Sequence, residues 1–170
     1  MSQNLNKNII SIVLIASFFI FLNSCSHGFI FEETQKVSDN IWNSDEKIEI
    51  SLPITDISKS YNIYILFENQ DDYSVSNLWL NTSVVSPEGK IQSELLNFEI
   101  TDNTGKWLGE KSGETIKNIF LYKQNIKFPT KGTYKFIIKQ QMREKETPKN
   151  VSVGIALDFC NKEEIKDGEK

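Results

Sequence analysis

Alternation of apolar and polar residues is the feature that most constrains the fold of this chain. It is clearest near the C-terminus, where every second residue is apolar at Val151, Val153, Ile155, Leu157 and Phe159. Successive side chains of a β-strand point to opposite faces, so this run predicts a strand with one face in a core. The same pattern predicts strands at residues 48–52, 61–67, 78–84, 96–100 and 134–138.

Segments typical of turns separate these runs, at residues 69–72, 86–90, 101–106 and 128–132. Their Gly, Pro, Asn and Asp residues favour the backbone angles of tight turns. About seven or eight short strands, without a convincing amphipathic helix, predict one all-β domain over residues 46–160: an antiparallel β-sandwich of jelly-roll or immunoglobulin-like type. Residues 107–118, which include Gly109 and Gly113 among charged residues, are predicted to form a long loop, with a turn of helix as the alternative.

The first 24 residues have the layout of a secretory signal peptide. Lys7 gives a positive start, residues 9–22 form an uncharged apolar run, and the small residue Ser24 precedes Cys25. A membrane-spanning helix needs about 20 apolar residues, and this run is shorter. The segment is therefore better explained as a signal that is removed by cleavage before Cys25.

Leu22, Ser24 and Cys25 also resemble a bacterial lipobox, in which the cysteine thiol accepts diacylglycerol before cleavage. Two or three acyl chains hold a protein stably on a membrane, whereas one chain does so marginally. We therefore predict lipidation at Cys25, followed by a tether over residues 25–45 in which residues 29–31 could form an edge strand. The alternatives are an ordinary signal peptide with a chance cysteine, and a retained helix.

Length, charge and cysteine count limit what the mature chain can be. Removing residues 1–24 from the 170-residue chain leaves 146, about one domain. The full chain has a net charge of −4 with the two signs interleaved, so it lacks the basic stripe of a nucleic-acid-binding protein. If Cys25 carries lipid, Cys160 has no intramolecular partner and the domain folds without a disulfide. The charged segment 161–170 is expected to be a flexible tail.

Residues for known catalytic chemistry are scarce. His27 is the only histidine and lies beside the predicted anchor, which argues against Ser-His-Asp, Cys-His and multi-histidine zinc sites. We expect no cofactor, no metal and no enzymatic activity. Loop carboxylates leave a hydrolase or a calcium site as alternatives, with stabilisation of turns as the favoured explanation. The hydrolase candidates are Asp71, Asp72, Asp102, Glu110 and Glu114, and the calcium candidates are Asp71, Asp72, Asp102 and Asn103.

The three tryptophans are the best candidates for contacts with a ligand. Trp79 falls on the opposite face of its predicted strand from Leu78 and Leu80, so we weigh burial and exposure evenly there. Burial is favoured for Trp107, although a loop tryptophan is also suited to stacking on a sugar ring. A carbohydrate-binding role is therefore an alternative.

Four segments are informative when taken together. The most specific is 102–109, Asp-Asn-Thr-Gly-Lys-Trp-Leu-Gly, and the others are 69–78, 128–134 and 141–143. With the lipobox ahead of them, these segments resemble the GldH gliding-motility lipoproteins of the Bacteroidetes, over residues 29–157. This resemblance makes one loop a candidate for either binding or structure: Asp102, Gly105, Trp107, Leu108 and Gly109. Turn geometry accounts for its Asp and Gly residues without a ligand, and a structural role is favoured.

The resemblance implies a cell-envelope lipoprotein needed for surface gliding, in organisms whose adhesins leave through the type IX secretion system. It implies no catalytic residues. The leading hypothesis is a non-enzymatic outer-membrane lipoprotein, held on the periplasmic face by Cys25, that contacts other gliding or secretion proteins. A carbohydrate-binding surface lipoprotein is second, and a lipid-anchored hydrolase is third.

Overall fold

The computed structural model describes residues 28–37, 41–147 and 151–160, in which the regular structure consists of β-strands. The predicted signal peptide, Cys25, His27 and the charged segment 161–170 lie outside these residues. The described residues contain no helix of the length and apolarity that crossing a membrane requires. The strands are β1 (Phe31–Lys36), β2 (Trp42–Asn43), β3 (Ile48–Ile54), β4 (Tyr61–Gln70), β5 (Asn77–Val85), β6 (Ile91–Glu99), β7 (Glu110–Ser112), β8 (Thr115–Ile126), β9 (Gly132–Gln140), β10 (Glu146–Thr147) and β11 (Ser152–Phe159).

Two antiparallel sheets pack face to face, which confirms the predicted β-sandwich. The five-stranded sheet has the order β1-β11-β4-β8-β7, and the four-stranded sheet has the order β3-β9-β5-β6. A short pair, β10-β2, lies beside them. Apart from the consecutive pairs β5-β6 and β7-β8, neighbouring strands in both sheets come from distant parts of the sequence, so the core forms only when the whole domain folds.

The core lies between the sheets and is built by the alternation seen in the sequence. In β3, Ile48, Ile50 and Leu52 are buried while Ser51 is exposed. Each fully buried side chain of this size contributes about 1.5–3 kcal/mol relative to an exposed one. The predicted strands at 48–52, 61–67, 78–84, 96–100, 134–138 and 151–159 all fall on observed strands.

The predicted long loop at residues 107–118 is wrong. β7 and the start of β8 occupy most of it and form a hairpin in which Ser112 pairs with Thr115. Gly113 sits at the turn with a φ of 63°, an angle that glycine adopts at little cost. β7 has three exposed residues, so it shows no apolar alternation that would reveal a strand.

The folded domain begins well before the predicted boundary at residue 46. β1 is an edge strand of the five-stranded sheet and lies in the range predicted to be mostly tether. The Gln35 side-chain amide donates to the carbonyl of Glu49 at 2.8 Å, which joins β1 to β3 of the other sheet. Polar inward side chains such as Gln35 suit an edge that closes the sandwich, and they hide the strand from an apolar pattern.

Phe136 tests the core because its ring is fully buried in β9, inside the four-stranded sheet. We expect Phe136→Ala to lower the free energy of unfolding by about 3–5 kcal/mol, through lost burial and a residual cavity. Ile91→Ala is the control, since Ile91 is 66% exposed, and it should change stability by less than about 0.5 kcal/mol. Urea unfolding followed by tryptophan fluorescence measures both, and equal losses would contradict this description of the core.

Candidate functional site

One side of the sandwich is left with two unpaired strand edges. In the described part of the chain, β6 pairs only with β5, and residues 118–126 of β8 pair only with β4. The two strands come from different sheets and meet through stacked rings of Phe98 and Phe120, whose centroids are 4.3 Å apart. We call this the open side, formed by β6 and by residues 118–126 of β8.

Beyond the Phe98–Phe120 contact the sheets separate and leave a cleft of about 440 Å³. We call it the open-side cleft. Side chains from both sheets and from the 127–130 loop line it. Its apolar lining is Ile63, Val84, Ile126, Phe128, Tyr134 and Phe136, and its charged residues are Glu88, Lys90, Glu94, Lys123 and Lys127. A concave apolar surface with a charged rim is the usual form of a binding site.

An ion pair connects the two sheets at this cleft. The Lys123 ammonium donates to both carboxylate oxygens of Glu94, at 2.6 and 2.7 Å. Both side chains are more than a third exposed, so the pair adds little stability. Burial, and then the nearby Glu94 carboxylate, raise the pKa of Tyr122 to about 12.

A local irregularity shapes the end of β8. Lys123 and Ile126 of β8 pair with Ile63 and Tyr61 of β4. The two β8 residues are three positions apart in the sequence, whereas their partners are two positions apart, so β8 contains one extra residue. Within this stretch Asn125 has a φ of 51°, and its amide donates to the Asn62 side-chain oxygen at 2.9 Å. Such bulges bend a strand and disrupt its ladder. This end of β8 is therefore poorly suited to pairing with a further strand.

The loop predicted from the family resemblance is a compact turn. The Asp102 carboxylate accepts hydrogen bonds from the hydroxyl and amide of Thr104 and from the amide of Lys106, at 2.7–3.0 Å. These bonds, the Thr104 hydroxyl first, lower the pKa of Asp102. Gly105 has a φ of 84°, which suits glycine. Asp102 and Gly105 thus act on the turn itself, as the structural explanation expected.

The residues in the second half of this loop differ in their exposure to solvent. Trp107 is half-buried against the core and forms a bridge with Thr101. Gly109 lies so close to β8 that a Cβ atom there would come within 2.6 Å of the Lys117 carbonyl. Leu108, in contrast, is 57% exposed. None of the five candidate residues lines the open-side cleft.

The sequence does not predict the cleft, although two residues that line it belong to a segment that carries the family resemblance. Phe128 and Tyr134, whose rings lie 4.6 Å apart, belong to the resembling segment 128–134. The sequence pattern there predicts a turn at residues 128–132 and a strand from residue 134, with no indication of a cleft. Ile126 was not recognised as a cleft residue, because no strand was predicted where β8 lies.

The remaining predicted candidates are spread over the molecule. Trp42 is fully buried, whereas Trp79 is 36% exposed, in line with its opposite parity to Leu78 and Leu80. Asp71 pairs with Lys111 at 2.9 Å. Cys160 is a half-exposed free thiol. Among the described residues, no three His, Cys, Asp or Glu side chains are grouped closely enough to hold a metal ion.

The fold and the open side define an all-β sandwich protein with a candidate docking cleft, and similarity to known proteins gives its family. Residues 29–157 match the GldH lipoprotein family. The chain belongs to this family, and it is therefore a membrane-anchored protein of the cell envelope.

Two relatives show how far the similarity extends. A protein of Christiangramia forsetii named "Gliding motility lipoprotein GldH homolog" is 34% identical over 125 residues, covering 74% of this chain and 76% of its own. The "Gliding motility lipoprotein GldH" of Flavobacterium johnsoniae is 29% identical over 133 residues, covering 78% and 80%. Among solved structures, the Aeromonas hydrophila PliG, a periplasmic inhibitor of g-type lysozyme, has a TM-score of 0.32 at 12% identity over 79% of this chain and 92% of its own, a likeness too low to bear on function.

Asp102 makes the stability of the turn dependent on pH. Its folded-state pKa lies below the ordinary value of 3.8, so its contribution is present above the unfolded pKa and is lost as pH falls through the folded pKa. We expect Asp102→Asn to lower the urea midpoint at about pH 7, with the difference from wild type shrinking towards about pH 3. Asn103→Ala, in the same turn, is the control. An Asp102→Asn deficit that persists unchanged in acid would contradict the carboxylate's role.

Proposed function

We propose that this protein is a non-enzymatic outer-membrane lipoprotein, anchored by Cys25 on the periplasmic face, that supports gliding motility and the associated type IX secretion machinery through protein contacts. The names of the two relatives support the role in gliding. The lipobox-like residues Leu22, Ser24 and Cys25 support the anchor. The partner is another envelope protein of this machinery, and the open side is the surface that receives it.

The observation that carries the proposal is the combination of unpaired edges with an apolar cleft. An extended segment can add to an exposed sheet edge through main-chain hydrogen bonds, while pockets beside the edge select its side chains. The open-side cleft offers such a pocket, because Val84, Ile126 and Phe128 form an apolar lining directly beside the two edges.

Of the two edges, β6 is the better template. Its register with β5 is regular from Ile91 to Glu99, so its outer backbone groups follow an even spacing. The corresponding part of β8 contains the irregularity around Asn125. The partner segment therefore pairs with β6 and places apolar side chains in the cleft.

A carbohydrate-binding role is the second candidate, and Trp79 supports it better than Trp107 does. Trp107 packs against the core, whereas Trp79 is exposed on the outer face of β5, opposite Asn97 in the register. An exposed indole beside side-chain amides suits stacking and hydrogen bonding to a sugar. Glycan-array binding that is lost in Trp79→Ala would favour this candidate.

Deletion of the gene tests the proposed function directly. We expect the deletion strain to lose colony spreading and secretion of its adhesins, and the wild-type gene to restore both. Cys25→Ala should fail to restore them, because the protein would lose its acyl chains and with them its stable hold on the membrane. Intact spreading and secretion in the deletion strain would overturn the proposal.

The cleft is tested by filling it. Inward side chains alternate along β6, so Gln92 lines the cleft while neighbouring Ser93 is on the outer face. We expect Gln92→Trp to reduce complementation of the deletion strain, because its indole occupies the space the partner needs. Ser93→Trp, with the same added group one residue away, should complement normally. Equal complementation by the two variants, with unchanged melting temperatures, would contradict docking in the cleft.

A further inference from the structure

The chain joins the folded domain almost immediately after the predicted anchor. The Ile30 amide donates to the Leu157 carbonyl at 2.8 Å, and the Phe29 ring lies 5.3 Å from that of Tyr64. Cys25 precedes Gly28 by three residues, and three residues span at most about 10 Å. The acyl chains on Cys25 must therefore enter the bilayer within roughly this distance of Gly28.

The surface around Phe29 is the outer face of the five-stranded sheet. Tyr64 is on this face, because its neighbours Ile63 and Ile65 point into the core. Leu121 is opposite Tyr64 in the register and is 48% exposed. A shallow hollow next to them is lined by Phe29, Tyr64, Leu108 and Ile119, among others.

This face carries several large apolar side chains that are exposed to water. Leu108, Leu121 and Ile30 are 57%, 48% and 45% exposed. Leu108 lines the same hollow as Gly28 and Phe29, Leu121 is paired with Tyr64, which Phe29 contacts, and Ile30 follows Phe29 in the chain. We call these three residues, with Phe29, Tyr64 and Ile119, the anchor-side face. Contiguous exposed apolar side chains mark sites of contact with proteins or membranes. The short distance to the acyl chains identifies the membrane as the occupant.

The charges on this face do not favour a purely electrostatic contact. Lys117, beside the hollow, is paired with Glu32 at 2.9 Å. Glu110 and Asp158 also line the hollow, so its net charge is not positive. Attraction to anionic lipids therefore contributes little, and the contact is apolar.

We propose that the anchor-side face rests on the bilayer surface, with Leu108 and Leu121 among the lipid headgroups or just below them. This inference rests on lipidation of Cys25 in the proposed function. The outer face of the four-stranded sheet, which carries Leu95 and Ile91, then points away from the membrane. The open side, at the edge between the sheets, stays accessible.

Depth-dependent fluorescence quenching tests this orientation in the full-length lipidated protein. Leu108→Cys and Leu121→Cys are each made in a Cys160→Ser background and labelled with an environment-sensitive fluorophore. Leu95→Cys is the matched control, because Leu95 is 58% exposed on the other sheet and Leu108 is 57% exposed. The proteins are inserted into vesicles of phosphatidylethanolamine and phosphatidylglycerol that contain lipids with shallow nitroxide quenchers.

We expect labels at 108 and 121 to be quenched several-fold more than the label at 95, with a blue-shifted emission. The difference should persist at high salt and at low phosphatidylglycerol content, since the contact is apolar. Equal, weak quenching at all three positions would overturn the inference. Stronger quenching at position 95 than at 108 or 121 would overturn it too, by showing the opposite orientation.

The acylation state separates this inference from the proposed function. Mass measurement of the purified protein, and incorporation of a palmitate analogue that is lost in Cys25→Ala, report lipidation independently of orientation. A protein without acyl chains would remove the anchor itself. An acylated protein whose 108 and 121 labels remain unquenched would remove only the membrane contact of the anchor-side face.

Discussion

The stacking of Phe98 on Phe120 is the contact on which the shape of the open side depends. β6 and β8 share no ladder of hydrogen bonds, so side-chain contacts alone hold these two strands near each other. A stacked aromatic pair contributes about 0.5–1.5 kcal/mol beyond the area it buries. Towards Ile100 and Ile116 the core is closed and fully buried, whereas beyond Glu94 and Lys123 the cleft opens.

β4 links the two surfaces to which we assign roles. It is paired on both sides, with β8 and β11, and is buried along most of its length. Ile63 points inward and lines the open-side cleft, while the next residue, Tyr64, points outward and contacts Phe29. The cleft and the anchor-side face are thus lined by adjacent residues of one central strand. A shift of β4 would move both surfaces together.

The sequence predicts strands well where an apolar residue recurs at every second position, and poorly where this alternation is absent. β3 and β9 alternate cleanly because their outer faces meet water. β8 was missed because Ile119, Phe120, Leu121 and Tyr122 are consecutive apolar residues that face both ways, so no period of two is visible. In β1 the inward residues include polar Glu33 and Gln35, which suit an edge strand and remove the apolar signal.

The candidate functional residues were likewise predictable only in part. The turn at Asp102 was predictable, because the preference of Asp and Gly for turns is local. The cleft was not, because it depends on how far the sheets separate beyond one aromatic pair. Residues of five strands, β4, β5, β6, β8 and β9, and of the loops beside them line it, and their proximity follows only from the order of the strands.

The folded domain begins at about Phe29, only a few residues after Cys25, and this restricts how a partner can approach. A long tether over residues 25–45 would let the domain turn freely, since even about 10 flexible residues span roughly 16–19 Å. Phe29 is packed on β4, so an anchor at Cys25, as proposed, would hold the domain against the bilayer and limit its orientation. The edge of β6 would then be presented from a membrane-bound domain. A partner in the same membrane would meet that edge at a fixed height, so part of the entropy that docking costs would already be lost on anchoring.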